Sequence, residues 1–172
     1  MRKTISLLTV IVLIIVSCKT DKKGENDAYT GATKWVDSLI YPEEIHFKSI
    51  KQITFGGDNA EAYWSFDDSQ IIFQSNNKEW GVECDQMFLM NRNEVFDSIV
   101  PPMISTGKGR TTCAYFLPNN KQFVYGSTHL GGDECPDAPL RREGKYVWPI
   151  YESYDIFVSD LNGNITNQLT TE

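Results

Sequence analysis

Residues 59–75, NAEAYWSFDDSQIIFQS, decide the fold of this chain. The stretch opens on small and aromatic residues, passes through the cluster FDDS at 66–69 and closes on the apolar run at 71–73. Asp and Ser side chains in such a cluster hydrogen-bond to their own backbone and favour a tight turn. Runs of β-branched and aromatic residues bounded by turns are typical of strands. The stretch therefore predicts a strand, a turn and a second strand.

A second copy of this pattern lies about fifty residues further on, at residues 112–127, TCAYFLPNNKQFVYGS. The aligned pairs are Tyr63 with Tyr115, Trp64 with Phe116, Asp67-Asp68 with Asn119-Asn120, Gln70 with Gln122, Phe73 with Tyr125 and Ser75 with Ser127. The similarity continues into a third strand, 85–90 against 155–159, and the residues at 52–54 recur at 168–170. Short strands repeated at such a period indicate a repeat architecture.

The composition excludes two classes of protein. The chain has a formal net charge of −7 and 41% hydrophobic residues. A chain with this apolar content is not intrinsically disordered. Its acidity argues against nucleic-acid binding, which needs a basic surface. Beyond the first twenty residues, no apolar run is long enough to span a bilayer.

The N-terminus reads as a targeting segment, residues 1–18. Arg2 and Lys3 precede an apolar stretch at 5–16, the arrangement of a bacterial export signal. The tetrapeptide at 15–18, IVSC, resembles the lipoprotein signal in which the cysteine becomes the lipidated N-terminus. We therefore expect lipidation at Cys18; the alternatives are an ordinary secretory signal and an uncleaved anchor. Residues 19–33 are polar and predict a flexible tether.

Three further segments have informative local patterns. Residues 45–54, IHFKSIKQIT, alternate apolar with polar residues and predict an edge strand with a slip or bulge. Pro101-Pro102 excludes a central strand at that point. Residues 129–153 form a long insertion with several aromatic residues, which favour ordered packing over disorder.

These repeats resemble those of the TolB-like β-propeller family, which is WD-repeat-like in architecture. The family pattern, a Leu-Thr strand, Trp-Ser-Pro-Asp-Gly and an Ile-Tyr-Val-Met-Asp strand, appears here as WSFDD at 64–68, FLPNN at 116–120 and YDIFVSD at 154–160. The resemblance implies an all-β fold of four-stranded antiparallel blades. Residues 34–172 would form a partial propeller, with blade one at about 45–97, blade two at about 104–163 and the start of another blade at 164–172.

Two blades do not close a propeller, which needs about four to eight. We therefore expect that the chain is a truncated piece of a longer protein, or that it self-associates to cover its open edges. Positions within the strands that should face neighbouring blades form the predicted core. They are Ile71, Phe73, Phe88, Val124, Tyr125, Ile156 and Phe157.

The resemblance also places three cysteines on one face of the blades: Cys84, Cys113 and Cys135. In an oxidising compartment two of them should form a disulfide, and the odd count leaves one thiol free or paired elsewhere. A metal site with His129 is the weaker alternative, because no short metal-binding spacing is present. A catalytic cysteine lacks a base and a third group.

The same face collects polar residues that would ring the mouth of a closed propeller. They are Asp58, Asn59 and Glu61 in blade one, and Lys108, Arg110, Thr111 and Thr112 in blade two. One interpretation is a ligand face, to which Trp80 and Trp148 add stacking surfaces. The other is turn chemistry with a Glu61–Arg110 pair that aligns the blades, and aromatic packing at the rim. Asp133, Asp137, Arg141 and Arg142 in the insertion suit a solvated loop.

The sequence contains no nucleophile elbow, phosphate-binding loop or metalloprotease helix. The first hypothesis is therefore a non-enzymatic, membrane-anchored β-propeller lipoprotein that binds a protein, peptide or glycan in the bacterial cell envelope, facing the periplasm or the surface. It requires no cofactor and no metal. The second hypothesis is the propeller portion of an exported peptidase or hydrolase whose catalytic domain lies outside this sequence.

Overall fold

The computed structural model describes residues 40–94, 96, 99–137, 143–145 and 151–171. Within them the protein is all-β, with seven strands and one short 3-10 helix, Lys78–Trp80. The strands are β1 (Asp58–Trp64), β2 (Gln70–Asn76), β3 (Gln86–Asn91), β4 (Thr111–Phe116), β5 (Gln122–Ser127), β6 (Asp155–Asp160) and β7 (Ile165–Gln168). The prediction of an all-β fold of antiparallel sheets is confirmed.

The strands form two antiparallel sheets that pack against each other. Sheet one has the order β1-β2-β3, and sheet two has the order β4-β5-β6-β7. Each sheet is a meander, in which consecutive strands are neighbours and short turns join the first two strands. Two face-packed antiparallel sheets are the arrangement of adjacent blades in a partial propeller and also of a β-sandwich.

The two sheets repeat each other in backbone detail. In both, the pairing of the first two strands is interrupted by a bulge, between Ala60 and Tyr63 in sheet one and between Thr112 and Tyr115 in sheet two. The bulge holds a non-glycine residue at positive φ in each case, Glu61 at 50° and Cys113 at 53°.

The turns repeat as well. Asp68 and Asn120 occupy equivalent turn positions with φ values of 56° and 52°. Asp and Asn are the non-glycine residues that tolerate this left-handed conformation best. The two turns that the sequence alignment pairs, at 67–68 and at 119–120, therefore have the same backbone conformation at their second residue.

A fourth segment lies along the third strand of each sheet. In sheet two it is β7; in sheet one it is residues 102–105, where the amide of Ile104 donates to the Met87 carbonyl over 2.8 Å. The equivalent bond in sheet two joins the amide of Leu169 to the Ile156 carbonyl over 2.7 Å.

A hydroxyl completes each of these fourth segments. Ser105 Oγ accepts the amide of Met87 at 2.9 Å, and Thr170 Oγ1 accepts the amide of Ile156 at 2.8 Å. Of the segment 164–172, predicted as the start of another blade, the structure describes residues 164–171, and they continue sheet two instead. Strand β7 pairs with β6, and Leu169 and Thr170 supply to β6 the contacts that Ile104 and Ser105 supply to β3.

Residues 45–54 do not form the predicted edge strand. Ile45 and Phe47 are exposed, and the segment contacts sheet one where Thr54 bridges Phe96 in parallel and the Phe96 amide donates to the Ile53 carbonyl at 2.9 Å. Residues 102–105 occupy the edge of β3 that faces away from β2. The 45–54 segment therefore cannot pair with β3, and it lies beside Phe96 instead.

Strands β2 and β3 of sheet one are buried on both faces. One apolar cluster fills the space between the sheets; it contains Ile72, Met87, Ile104, Ala114, Phe116, Phe123, Tyr125 and Phe157. A second cluster covers the opposite face of sheet one; it contains Ile71, Phe73, Val82, Phe88, Met90 and Phe96, with Ile53 and Trp80 packed against it. Alternate residues of β2 therefore enter different clusters, as the two-residue period of a strand requires.

The predicted core positions divide by the face on which they lie. Ile71, Phe73, Phe88, Tyr125 and Phe157 are buried. Val124 is half-buried and Ile156 is 42% exposed. Val124 and Ile156 lie on the outer face of sheet two. Sheet two covers the equivalent face of sheet one, but no described element covers this face of sheet two.

Candidate functional site

Several loops of the two sheets meet at one end of their interface. We call this region the seam and define it as Asp85, Gln86, Gly109, Arg110 and the Cys84–Cys135 disulfide. Cys84 Sγ lies 3.0 Å from the Gly109 carbonyl oxygen, and Gln86 Nε2 donates a hydrogen bond to that oxygen over 2.8 Å. The loop before β3 of sheet one is thereby fixed to the loop that precedes β4 of sheet two.

The disulfide joins the loop before β3 to the insertion that follows β5. Cys84 and Cys135 have Cα atoms 5.8 Å apart. Cys113, at the bulge of β4, is a free and exposed thiol. The sequence did not determine which two of the three cysteines pair. The structure pairs Cys84 with Cys135.

Gln86 is the buried polar centre of the seam. Besides its bond to Gly109, its Oε1 atom accepts the Ser105 hydroxyl at 2.7 Å and the Gly107 amide at 3.2 Å. Because one side chain satisfies groups on three residues, the 105–109 loop has a defined conformation. Residues 107 and 109 are glycines at positive φ, as this tight loop requires.

Arg110 and Asp85 form the charged pair of the seam. Arg110 Nε lies 3.9 Å from Asp85 Oδ2, and the two side chains are 22% and 24% exposed. Arg110 Nη2 approaches Cys135 Sγ at 3.8 Å, whereas its buried Nε atom has no hydrogen-bond partner among the described residues. Burial raises the pKa of the Asp85 carboxyl, and the Arg110 charge opposes this increase only in part. Burial likewise raises the pKa of Tyr154, which lies near both groups.

The predicted Glu61–Arg110 pair is not present. The Tyr63 hydroxyl donates to Glu61 Oε2 at 2.7 Å, and Arg110 faces Asp85. The bulge explains the difference, because it turns Glu61 into the left-handed region and interrupts the regular alternation of β1.

A cleft of about 420 Å³ opens beside the disulfide. It is lined by Gln86 at the start of β3 and by residues of the loops before β3, before β4 and after β5, including Glu83, Gly107, Asp133 and Glu134. At its rim, Lys108 Nζ pairs with Asp133 Oδ2 over 2.9 Å in an exposed ion pair. The cleft is therefore an acidic, largely polar concavity whose walls the disulfide holds together.

The other predicted site residues have separate locations. Asp58 and Asn59 begin β1 and are exposed, as is Glu61. Thr111 is fully buried, and its amide and hydroxyl both donate to the Asp85 carbonyl, over 2.9 and 3.0 Å, so it supports the seam from within. Trp80 packs against Phe73 and Phe88, with ring centroids 6.3 and 5.1 Å away. Cys18, Arg141, Arg142 and Trp148 lie outside the described residues.

One serine–histidine pair has the spacing of a nucleophile and a base. His129 Nδ1 lies 2.9 Å from Ser127 Oγ. Ser127 is 0% exposed, however, and the His129 ring packs on Phe157 with centroids 4.4 Å apart. Burial lowers the pKa of His129, so the neutral imidazole is favoured. The pair belongs to the core and offers no hydroxyl to a substrate.

The described residues contain no group of three or more His, Cys, Asp and Glu side chains placed to hold a metal ion. Within the same part of the chain, no helix has the length and apolar character needed to cross a bilayer.

Sequence reasoning missed Asp85 and Gln86 as members of the seam, and Tyr154 as a residue near them. The strand pairing gives the correct register of the two repeats. Gln86 lies opposite Ser75, and Asp155 lies opposite Ser127, the residue that aligns with Ser75. Gln86 and Asp155 are therefore equivalent. Asp85 and Tyr154 are therefore equivalent positions of the two repeats. An alignment fixed on Phe88 and Phe157 would have revealed this register.

No protein-family model matches the chain, and no curated protein matches it significantly.

Proposed function

We propose that the protein is a non-enzymatic binding or scaffold lipoprotein of the bacterial cell envelope, built from TolB-like propeller repeats. It engages a protein, peptide or glycan at the seam. The observation that carries the proposal is Arg110, whose side chain is 22% exposed and whose Nη2 atom lies 3.8 Å from Sγ of Cys135, a residue that lines the cleft. Its buried Nε atom makes no hydrogen bond among the described residues.

The surroundings of Arg110 favour binding over mere structural support. A bidentate Arg–carboxylate pair would satisfy both partners, but the 3.9 Å separation from Asp85 leaves the guanidinium donors incompletely used. Gln86 and the Cys84–Cys135 disulfide fix the loops around it. A site held in place before its ligand arrives loses less conformational entropy on binding.

The anchor part of the proposal rests on Cys18. Charged, apolar and small residues precede this cysteine in the order that a lipoprotein signal requires. Cells grown with a fatty-acid probe should label the wild-type protein and fail to label Cys18→Ala. Equal labelling of both proteins would contradict lipid anchoring.

The ligand is tested with arrays of peptides and of cell-wall and surface glycans. Ligands that bind the wild type should bind Arg110→Lys about tenfold more weakly, because lysine keeps the charge and loses the planar donor set. Arg92→Lys is the matched control, an exposed arginine after β3 and outside the seam. Thermal melts confirm that both variants fold. Equal loss in both variants, or conversion of any ligand to product, would contradict the proposal.

A further inference from the structure

We propose that the free edge of β1 binds an extended peptide segment rich in lysine or arginine, which adds to sheet one as a further strand. The inference goes beyond the proposed function, because it names a partner class at a second surface that is separate from the seam. We define this surface, the β1 edge, as Asp58, Glu61, Tyr63, Trp64, Phe66 and Tyr115.

The first observation is that β1 is an open edge. Among the described residues it pairs with β2 on one side only, and all seven of its residues are exposed. The bulge between Ala60 and Tyr63 divides this edge into two short regular stretches, at 58–60 and at 63–64, with which an extended partner can pair. Addition of a strand to such an edge is a common mode of peptide recognition, in which main-chain hydrogen bonds supply the affinity.

The second observation is the charge around this edge. Residues 52–77 contain the four acidic residues Asp58, Glu61, Asp67 and Asp68, and no lysine, arginine or histidine. Hydrogen bonds from Ser65 and then Ser69 lower the pKa of Asp67, so its carboxylate stays ionised at lower pH than an ordinary aspartate does. An extended partner is therefore favoured if it carries positive charge.

The third observation is a group of exposed aromatic rings at the end of β1. Tyr63 and Tyr115 meet edge to face with centroids 5.2 Å apart, and Phe66 meets Tyr115 at 6.2 Å. Trp64, next to Tyr63, is exposed as well. Lysine and arginine side chains gain cation–π attraction when they lie over such rings. The aromatic rings and the carboxylates thus favour the same kind of side chain.

A second copy of the chain fits this edge poorly. Pairing two β1 edges antiparallel about Glu61 would place Glu61 opposite Glu61, and like charges opposite each other destabilise a sheet. The same pairing would place each Asp58 opposite the partner's Trp64 and would supply no positive charge. The occupant is therefore a cationic segment from a different chain.

The test uses the full chain and three synthetic nine-residue peptides. One alternates lysine with threonine, the second alternates glutamate with threonine, and the third is the lysine peptide with every backbone amide methylated. The lysine peptide should bind, and each of the other two should bind at least about tenfold more weakly, by loss of charge attraction and of main-chain hydrogen bonds respectively. Equal binding of the glutamate peptide or of the methylated peptide would overturn the inference.

The acidic residues are tested by Asp58→Asn combined with Glu61→Gln. This variant should bind the lysine peptide about three- to tenfold more weakly, as expected for two exposed charge pairs. Glu43→Gln combined with Glu44→Gln is the matched control; it changes the net charge equally at exposed positions outside the β1 edge and should bind normally. Equal weakening in both variants would reveal unspecific attraction and overturn the site.

Amide hydrogen exchange locates the contact. Amides of β1 that exchange freely in the protein alone should be protected about tenfold or more when the lysine peptide is bound. Protection that instead rises with protein concentration, without peptide, would identify a second copy as the occupant and overturn the inference.

Failure of the inference and failure of the proposed function are distinguishable. If the lysine peptide does not bind but array ligands bind in an Arg110-dependent manner, the inference is wrong and the proposed function stands. If the lysine peptide binds and no ligand depends on Arg110, the seam is not the binding site and the inference stands.

Discussion

Adjacent residues of one strand experience opposite environments in β6. Phe157 is 2% exposed and packs against Tyr125 between the sheets, with ring centroids 6.0 Å apart. Ile156, the preceding residue, is 42% exposed on the outer face of sheet two. Truncation of Phe157 therefore tests the buried face of β6, and truncation of Ile156 is the control on the exposed face.

We expect Phe157→Ala to lower the free energy of unfolding by about 3–5 kcal/mol, because it removes a buried ring and leaves a cavity. Ile156→Ala should cost less than about 1 kcal/mol, since its side chain already contacts solvent. Urea unfolding curves measure both changes. A cost below about 1 kcal/mol for Phe157→Ala would contradict the assignment of this face as the core.

Asp85 is the residue at which stability should depend on pH in the less usual direction. Burial raises its pKa above the ordinary 3.8. The folded protein then binds the proton more tightly than the unfolded chain does. The resulting contribution of Asp85 to the free energy of unfolding is fully present below pH 3.8 and is lost as the pH rises through the raised pKa.

Asp85→Asn should remove this fall in stability between pH 3.8 and the raised pKa, as measured by urea unfolding at a series of pH values. Asp160→Asn is the contrasting variant. Hydrogen bonds from Asn164 lower the pKa of Asp160, so its contribution is present above pH 3.8 and is lost as the pH falls through the lowered value. An unchanged pH profile in Asp85→Asn would contradict the raised pKa.

At the scale of elements, the two β-turns form a natural comparison. Asp68 and Asn120 share a left-handed conformation, but only Asn120 is known to bond across the sheets, since its Oδ1 atom accepts the amide of Phe66 at 2.8 Å. Glycine at either position relieves about 1–2 kcal/mol of backbone strain and costs about 0.5–1 kcal/mol of chain entropy.

We therefore expect Asp68→Gly to change the free energy of unfolding by no more than about 1 kcal/mol. Asn120→Gly should be less stable than Asp68→Gly by about 1 kcal/mol, the usual contribution of one hydrogen bond. Thermal and urea unfolding of the two variants measure the difference. Equal stabilities would show that the Phe66–Asn120 bond does not contribute to the packing of the sheets.

The disulfide is the second element whose contribution is open to measurement. It closes a loop with a sequence separation of 51. In the chain-entropy description, a loop of this length stabilises the fold by about 4 kcal/mol. Cys84→Ser combined with Cys135→Ser should lose about that amount, whereas Cys113→Ser, at the free and exposed thiol, should change stability by less than about 0.5 kcal/mol. A larger effect of Cys113→Ser than of the double variant would contradict the observed pairing.

The elements were largely predictable because their signals are local. The turn clusters at 66–69 and 118–120 and the apolar runs of β2 and β5 determine two hairpins without any knowledge of tertiary structure. The fourth segment of each sheet was not predictable in this way. Residues 102–105 begin at a Pro-Pro pair and resemble a linker, and their pairing with β3 depends on hydrogen bonds from Leu89 to Pro102 and from Ile104 to Met87.

The seam was only partly predictable, for a related reason. Sequence placed Arg110, Thr111 and the cysteines at one end of the repeats, because all of them lie next to strand starts. It did not identify Asp85 as the partner of Arg110, because the bulge in β1 redirects Glu61. A bulge shifts one residue out of register, and a period-two pattern carries no sign of that shift.

At the scale of the whole molecule, the outer face of sheet two is the exposed apolar surface from which we predict association. Ile156 is exposed there and Val124 is half-buried. The equivalent face of sheet one, with Ile72 and Met87, is covered by sheet two. Exposed apolar faces of this kind favour association.

We expect residues 34–172 to form oligomers or aggregates in solution and Ile156→Lys to reduce this association markedly, because it places a charge within the apolar face. Leu130→Lys is the control at an exposed leucine outside that face. Multi-angle light scattering reports the mass of each species. A monodisperse parent protein that melts cooperatively as a monomer would contradict the prediction.

The link between Cys84 and Cys135 also has a mechanical consequence. Because it joins one sheet to the other, pulling the chain from its two ends cannot extend the residues between the two cysteines. A separation of 51 residues amounts to roughly 170–180 Å of extended chain that remains tied. A protein held at one end by lipid and pulled at the other would therefore lengthen much less than its residue count implies, and both sheets would stay tethered to each other when either one opens.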